Sequence, residues 1–293
     1  APRQHPRQGR PERKESVMEI AFSRLDERVA RFTISGVSTS FANVLRRAMV
    51  SEVPTLAIED VRIYDNTSVI FDEMLAHRLG LVPLRTDLAR YAVRSECSCG
   101  GAGCPVCTAT YTLSVEGPKT VYSSDLISQD PDAAPAEGSI PIIDLGPEQK
   151  IVLEAHAIVG TGKEHAKWQA TTACGYKNYP AIAVDERCDG CGMCIDECPR
   201  DVLEAGQGKV RVVSGRQELC SLCRLCERAC LAGGIGTEPA IRIGTEPERF
   251  IFVVESDGSM PAREIVERAL QYIQRSSDDL IDVINDMTGE GTE

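Results

Sequence analysis

Apolar and polar positions alternate with period two early in the chain. In "MEIAFSRLDERVARFTISG", Met18, Ile20 and Phe22 share one face and Ala30, Phe32 and Ile34 share another, with Asp26 and Glu27 between them. The stretch predicts a β-hairpin. The period then changes. Phe41, Val44, Leu45, Ala48 and Met49 recur as one stripe of a helix, with Ser38, Thr39 and Ser40 as N-cap candidates and Pro54 marking the end. Residues 55–90 predict short strands and a helix in "DEMLAHRLGLVPL", closed by Gly80 and Pro83. Residues 110–172 hold short apolar segments, "YTLSVEG", "IPIIDLG" and "KIVLEAHAIVG", set apart by Gly and Pro, the mark of mostly β structure. A strand follows in "RFIFVVESDG". After Pro261 a stripe of Ile265, Ala269, Tyr272, Ile273, Leu280, Ile284 and Met287 predicts a helix about 37 Å long. Such a stripe needs a cover, either this chain's own sheet or a second subunit. The pattern as a whole is α+β.

The chain has 293 residues, enough for two or three domains with their own cores. Its net charge is −12, from 32 basic and 44 acidic side chains. A protein that holds nucleic acid by itself shows a basic footprint, because neutralising phosphates supplies most of the affinity. This chain lacks one, so contact with DNA is expected only through partners. No apolar run approaches the 18 residues of a membrane span. The opening "APRQHPRQGRPERKES" has no apolar signal region and is rich in Arg, Pro and Gln. Residues 1–17 are expected to be a disordered extension, with Met18 a candidate natural start. Thirteen cysteines without an export signal point to a reducing compartment, the cytoplasm, and to metal rather than disulfides.

The cysteines carry the most specific spacing. Cys188, Cys191, Cys194 and Cys198 form C-x2-C-x2-C-x3-C, followed by Pro199, and Cys220, Cys223, Cys226 and Cys230 repeat it. Both runs read as ferredoxin. A [4Fe–4S] cube needs four thiolates, and in two-cluster ferredoxins the fourth cysteine of each run serves the other cluster. One cluster is therefore expected on Cys188, Cys191, Cys194 and Cys230, and a second on Cys198, Cys220, Cys223 and Cys226. Zinc or free thiols are the alternatives. A further group, Cys97, Cys99, Cys104 and Cys107, packs four thiols into "CSCGGAGCPVC". Four thiolates in so short a glycine-rich loop close a structural Zn–S4 site; a reactive thiol loop or an iron–sulfur site are the other readings.

Catalytic signals are absent from the pattern. "GTGKEH" does not fit the G-x4-G-K-[ST] phosphate loop, and His5, His77, His156 and His165 are scattered. No paired carboxylates or activated nucleophile can be argued. The chain is expected not to be an enzyme by itself.

"SFANVLRRAMVSEVPTLAIEDV", "DEMLAHRLGLVPLRTD" and "KWQATTACGYKN" resemble the D-subunit family of archaeal RNA polymerase, related to the bacterial α subunit and the eukaryotic third-largest subunit. The cysteine-rich segment is similar to the ferredoxin-like domain of some archaeal members. The resemblance implies a discontinuous dimerisation domain over 18–56 and 249–287, a mostly β insert domain over 57–174 with a zinc loop at 97–107, and a ferredoxin-like α+β iron–sulfur domain over 175–245. It implies a heterodimer with the small subunit L, contacts with subunits N and P, and docking of the large catalytic subunits. Phe41, Val44, Leu45, Arg46, Arg47, Ala48, Ile265, Ala269 and Ile273 are the expected partner-interface residues. Without the resemblance, Arg46 and Arg47 read as a solvated helix face; with it, they match an arginine pair that meets the second-largest subunit. Two functions remain: a transcription scaffold, or a soluble ferredoxin-type electron carrier. Co-purifying polymerase subunits or a reductase would separate them.

Overall fold

The computed structural model describes residues 17–233 and 237–288. The extension expected over 1–17 lies outside these residues apart from Val17. The chain opens with the hairpin, β1 (Glu19–Leu25) and β2 (Val29–Ser35). Its turn closes on one side chain: Asp26 Oδ1 accepts from the backbone N–H groups of Arg28 (3.0 Å) and Val29 (2.7 Å). Then come α1 (Thr39–Ser51), β3 (Pro54–Asn66), α2 (Asp72–Gly80), β4 (Ala109–Glu116), β5 (Lys119–Tyr122), β6 (Ile127–Ser128), β7 (Pro141–Leu145), β8 (Lys150–Thr161) and β9 (Thr171–Val184). The cysteine-rich segment contributes α3 (Met193–Asp196), β10 (Leu203–Ala205), β11 (Val210–Val212) and α4 (Leu225–Ala232). β12 (Ile241–Ser256) and α5 (Ala262–Thr288) complete the chain. Sheet outweighs helix in this α+β arrangement.

β1, β2, β12 and β9 form a four-stranded sheet in that order. β2 buries Ala30, Phe32 and Ile34, whereas Ile20, Phe22 and Leu25 of β1 are exposed. Two compact units divide the chain. Among the described residues, the larger comprises Phe22–Arg31, Ser40–Tyr176 and 252–288. Its sheet runs β3-β8-β4-β6, all antiparallel, beside a two-stranded β5-β7 ribbon. β8 shows why: Ile151, Leu153, Ala155, Ala157 and Val159 take every second position and all five are buried, whereas Val152, Glu154, His156 and Ile158 between them are half-buried. Across from them lie Leu56 and Ile58 of β3 and Tyr111 and Leu113 of β4, with Leu75 and Leu79 of α2 in the same core. The short strands expected over 55–90 are one 13-residue strand, β3, bent by irregularities between Ile58 and Asp60 and between Ile63 and Asp65.

α1 buries Ala42, Leu45, Ala48 and Met49. α5 buries Ala262, Ile265, Val266 and Ala269 in its first turns. Further along the expected stripe Ile273 is half-buried, and Leu280, Ile281, Val283, Ile284 and Met287 are all at least half exposed. Among the described residues, the smaller unit comprises 17–21, Phe32–Thr39, 177–233 and 237–251. Its core gathers Leu203, Val210, Ala240, Ile241 and Ile243, with Cys194, Cys226 and Cys230 buried among them. Among the described residues no helix is long and apolar enough to cross a membrane.

Trp168 offers a probe of the larger unit. Its indole N–H donates to the carbonyl of Ile158 (3.1 Å), and its own carbonyl accepts from the Thr55 hydroxyl (2.9 Å). Gly160 leaves room for the ring: a Cβ there would lie 2.5 Å from it. Gly160→Ala is therefore expected to unseat the indole at a cost of about 1–3 kcal/mol. Because the chain has one tryptophan, a red-shifted emission with a lowered urea midpoint reports the change directly; an unshifted spectrum would contradict this packing.

Candidate metal centres

The loop before β4 folds the first cysteine group on itself. Gly100 N donates to Cys97 O (2.9 Å) and Cys107 N to Cys104 O (2.9 Å), so each half turns back within three residues. Arg94 Nε ties down the carbonyl of Gly101 (3.0 Å). The four sulfurs converge: Cys97 to Cys104 is 3.5 Å, Cys99 to Cys107 is 3.6 Å and Cys104 to Cys107 is 3.9 Å. All four ligand atoms lie within 4.8 Å of one another. A tetrahedron with metal–sulfur bonds of about 2.3 Å has edges of about 3.8 Å, so this set fits one ion without rearrangement. Backbone N–H donation from Cys104, aided by the Cys97 thiol, holds the Cys99 thiol down to about 5. Against backbone N–H donation from Cys99, side-chain hydrogen bonds from the neighbouring cysteines push the Cys97 thiol up to about 11, so one proton is held between the two sulfurs. The lowered Cys99 favours the thiolate form a metal requires.

The eight remaining site cysteines all lie in the smaller unit, and two groupings emerge. Cys194 is buried, which pushes its thiol up to about 11, and the thiols of Cys230, Cys188 and Cys191 push it the same way. Those are the four cysteines of the first expected cluster. Backbone N–H groups point at two of them: Val210 N lies 3.4 Å from Cys188 Sγ and Ala240 N 3.2 Å from Cys230 Sγ. Cys198, Cys220, Cys223 and Cys226, the second expected set, line one pocket of about 360 Å³ including its mouth. Burial pushes the Cys226 thiol up to about 12. Thiolates that grip separate corners of a cube stand farther apart than those around one ion. The donor chemistry and the apolar walls, Ile182, Leu203 and Ile243, fit a sulfur-ligated cluster better than a hydrated cation.

The two runs share a backbone conformation. Gly190 (φ 74°) and Gly192 (φ 82°) are left-handed, and the matching positions of the second run, Leu222 (φ 60°) and Arg224 (φ 59°), are left-handed too. Gly192 and Arg224 then cap α3 and α4. Each non-glycine residue held there costs about 1 kcal/mol or more. The repeat is visible in the sequence once the two runs are aligned, but the strain in the second is not. Two side chains that spacing does not reveal hold the second loop: Lys177 on β9 and Gln217.

The expected interface residues fall into two groups. Leu45, Ala48, Ile265 and Ala269 are buried within the chain. Phe41, Arg46 and Ile273 are half-buried, and Val44 and Arg47 are exposed. Arg46 Nη2 and Nε reach back to Asn43 Oδ1 (3.1 and 3.3 Å) on its own helix. Cys174, the thirteenth cysteine and part of none of the three groups, sits against the Arg46 carbonyl, and burial pushes its thiol up to about 11.

Residues 31–276 match the family model described as the RNA polymerase Rpb3/Rpb11 dimerisation domain. Among curated proteins, the chain is 46% identical over 271 residues to DNA-directed RNA polymerase subunit Rpo3 of Methanosarcina acetivorans, covering 92% of this chain and 99% of the relative. It is 43% identical over 257 residues to the Rpo3 subunit of Archaeoglobus fulgidus, covering 88% and 94%. With the Rpo3 subunit of Thermoplasma volcanium it shares 37% over 270 residues, covering 87% and 95%.

The paired left-handed positions generate a ranking. A Cβ at Gly190 would meet the Gly208 backbone at 3.3 Å, whereas one at Gly192 meets nothing within 4 Å. Both alanine variants incur about 1 kcal/mol of backbone strain, and only Gly190→Ala adds a contact. Thermal midpoints are expected to fall further for Gly190→Ala than for Gly192→Ala; the reverse order would refute the geometry.

Proposed function

This chain belongs to the RNA polymerase Rpb3/Rpb11 dimerisation-domain family, and on that premise we propose how it works. It is a non-catalytic assembly subunit of DNA-directed RNA polymerase, and nucleotide addition belongs to the assembled complex. In our reading 18–56 and 249–287 form the dimerisation domain, which pairs with a small subunit of the L type in the cytoplasm. The insert domain over 57–174 then receives subunits of the N and P types and the large catalytic subunits. DNA is met only through the complex, in keeping with the −12 net charge.

The observation that carries this reading is the second half of α5. Leu280, Ile281, Val283, Ile284 and Met287 leave a helical apolar face in water, and burying such surface contributes about 25 cal/mol per Å². A monomer gains nothing from it; a partner does. The electron-carrier alternative gives no account of this helix or of a family match that spans both sides of the cysteine-rich segment. Ile284→Asp with Met287→Asp, both at exposed positions, is expected to leave the monomer folded and to abolish capture of the small subunit. The cost of burying two unpaired charges, several kcal/mol (~2–5), sets the size of the loss. Undiminished co-purification would overturn the assignment.

In the same reading the 97–107 quartet holds one zinc ion, and the other eight cysteines hold two [4Fe–4S] clusters. These groups supply folding free energy to segments with few large apolar residues of their own. Protein purified without oxygen is expected to carry about eight irons and about one zinc per chain. Four irons or fewer in fully reconstituted protein would reject the pair of clusters. Cluster occupancy also tunes assembly: changing Cys188, Cys191, Cys194 and Cys198 to Ser should spare pairing with the small subunit and reduce recovery of the large ones. Loss of the small subunit as well, or full recovery of everything, would show that this coupling is wrong.

A further inference from the structure

We propose that Lys177 is a positioning residue for the second iron–sulfur site, fixing its cysteine loop to β9 and setting the potential of that cluster alone. The inference rests on the reading that the eight cysteines bind two clusters. The Lys177 ammonium donates to the backbone carbonyls of Glu218 and Cys220, each at 2.7 Å. These carbonyls stand on either side of Leu219, so one cation pins the backbone where the second run begins. Cys220 is itself a ligand of the second set and lines its pocket. Three residues along β9, the Pro180 carbonyl accepts from Gln217 Nε2 at 2.7 Å. Three hydrogen bonds from two side chains thus strap the approach to the second loop onto one strand.

The second loop needs this hold more than the first. Leu222 and Arg224 occupy the left-handed positions that Gly190 and Gly192 fill in the first run. A loop of non-glycine residues in that conformation relaxes when nothing fixes its ends. The first set of ligands is held otherwise, by the N–H groups of Val210 and Ala240 aimed at Cys188 of the first run and Cys230 of the second. Its neighbouring cation, Arg187, is engaged by the Asp185 carboxylate at 2.5 and 3.0 Å.

The charge has a second effect. Reduction adds one electron to a cluster and makes it more negative. A fixed, half-buried cation beside a ligand's backbone favours that state. Lys177 therefore raises the potential of the cluster on Cys198, Cys220, Cys223 and Cys226 and leaves the other unchanged.

The test is a potentiometric titration of the full chain, prepared without oxygen, with dithionite as reductant and the two clusters followed by electron paramagnetic resonance. Lys177→Gln keeps a donor and removes the charge; Lys177→Arg keeps the charge. Lys177→Gln is expected to lower one potential and spare the other, and Lys177→Arg to restore it toward the wild-type value. The signal that shifts should be the one lost in Cys223→Ser. Iron release in air should also be faster from Lys177→Gln than from wild type, and confined to that cluster. Two clusters with potentials unmoved in Lys177→Gln, or moved equally, would overturn the role of Lys177. Wild-type protein without two clusters would instead refute the underlying reading, a result read before any variant is made.

Discussion

The hydrogen-bonded pairing of β9 with β12 is the constraint on which the rest depends. These strands are neighbours in the sheet, yet all eight ferredoxin-type cysteines lie between them in sequence. The chain can therefore leave the sheet, build a core against Ile182 and Val184 of β9 and Ile241 and Ile243 of β12, and return to the adjacent strand. Insertions survive where their two ends are already close. The loop-closure entropy of the excursion is small, because the cost grows only slowly with length. What remains is to give the excursion a reason to fold.

That reason is sulfur. In the smaller unit Cys194, Cys226 and Cys230 occupy positions that leucine or isoleucine would take in an ordinary core. The hairpin of β10 and β11 and the short helices α3 and α4 are each too small to be stable alone. The larger unit is built on the opposite principle. There β8 lays five aliphatic residues against β3 and β4, and packing alone suffices. The one group of four converging thiols found among the described residues sits in a loop of that unit, whose turns are closed by backbone hydrogen bonds.

How far the sequence reveals this depends on how local each determinant is. β8 is legible as a strand because it is a short apolar segment bounded by Gly and Pro, although Val152 and Ile158 blur which face is buried, and the helix of α2 because Leu75 and Leu79 fall one turn apart with Gly80 ending it. The cysteine groups are legible because ligand spacing is a local property. α1 is less so: a five-residue stripe includes Val44, yet Ala42 takes the buried place and Val44 faces outward. The small side chain allows closer approach, a choice made by the neighbouring surface rather than by periodicity. β1 shows the same limit, since its period predicts a strand and says nothing of why Ile20 and Phe22 stay exposed. Lys177 is not legible at all. Its partners lie 41 and 43 residues away, and nothing near it in sequence announces them.

The change of character along α5 has a cellular consequence. Ile265 and Ala269 are covered by the chain itself, while Leu280 to Met287 wait in water. A copy made in excess of its partner carries a greasy helix on display, the kind of surface that chaperones and proteases recognise. The same residues that would seal a finished assembly thus mark an orphan, and the supply of this subunit is tied to the supply of whatever covers it.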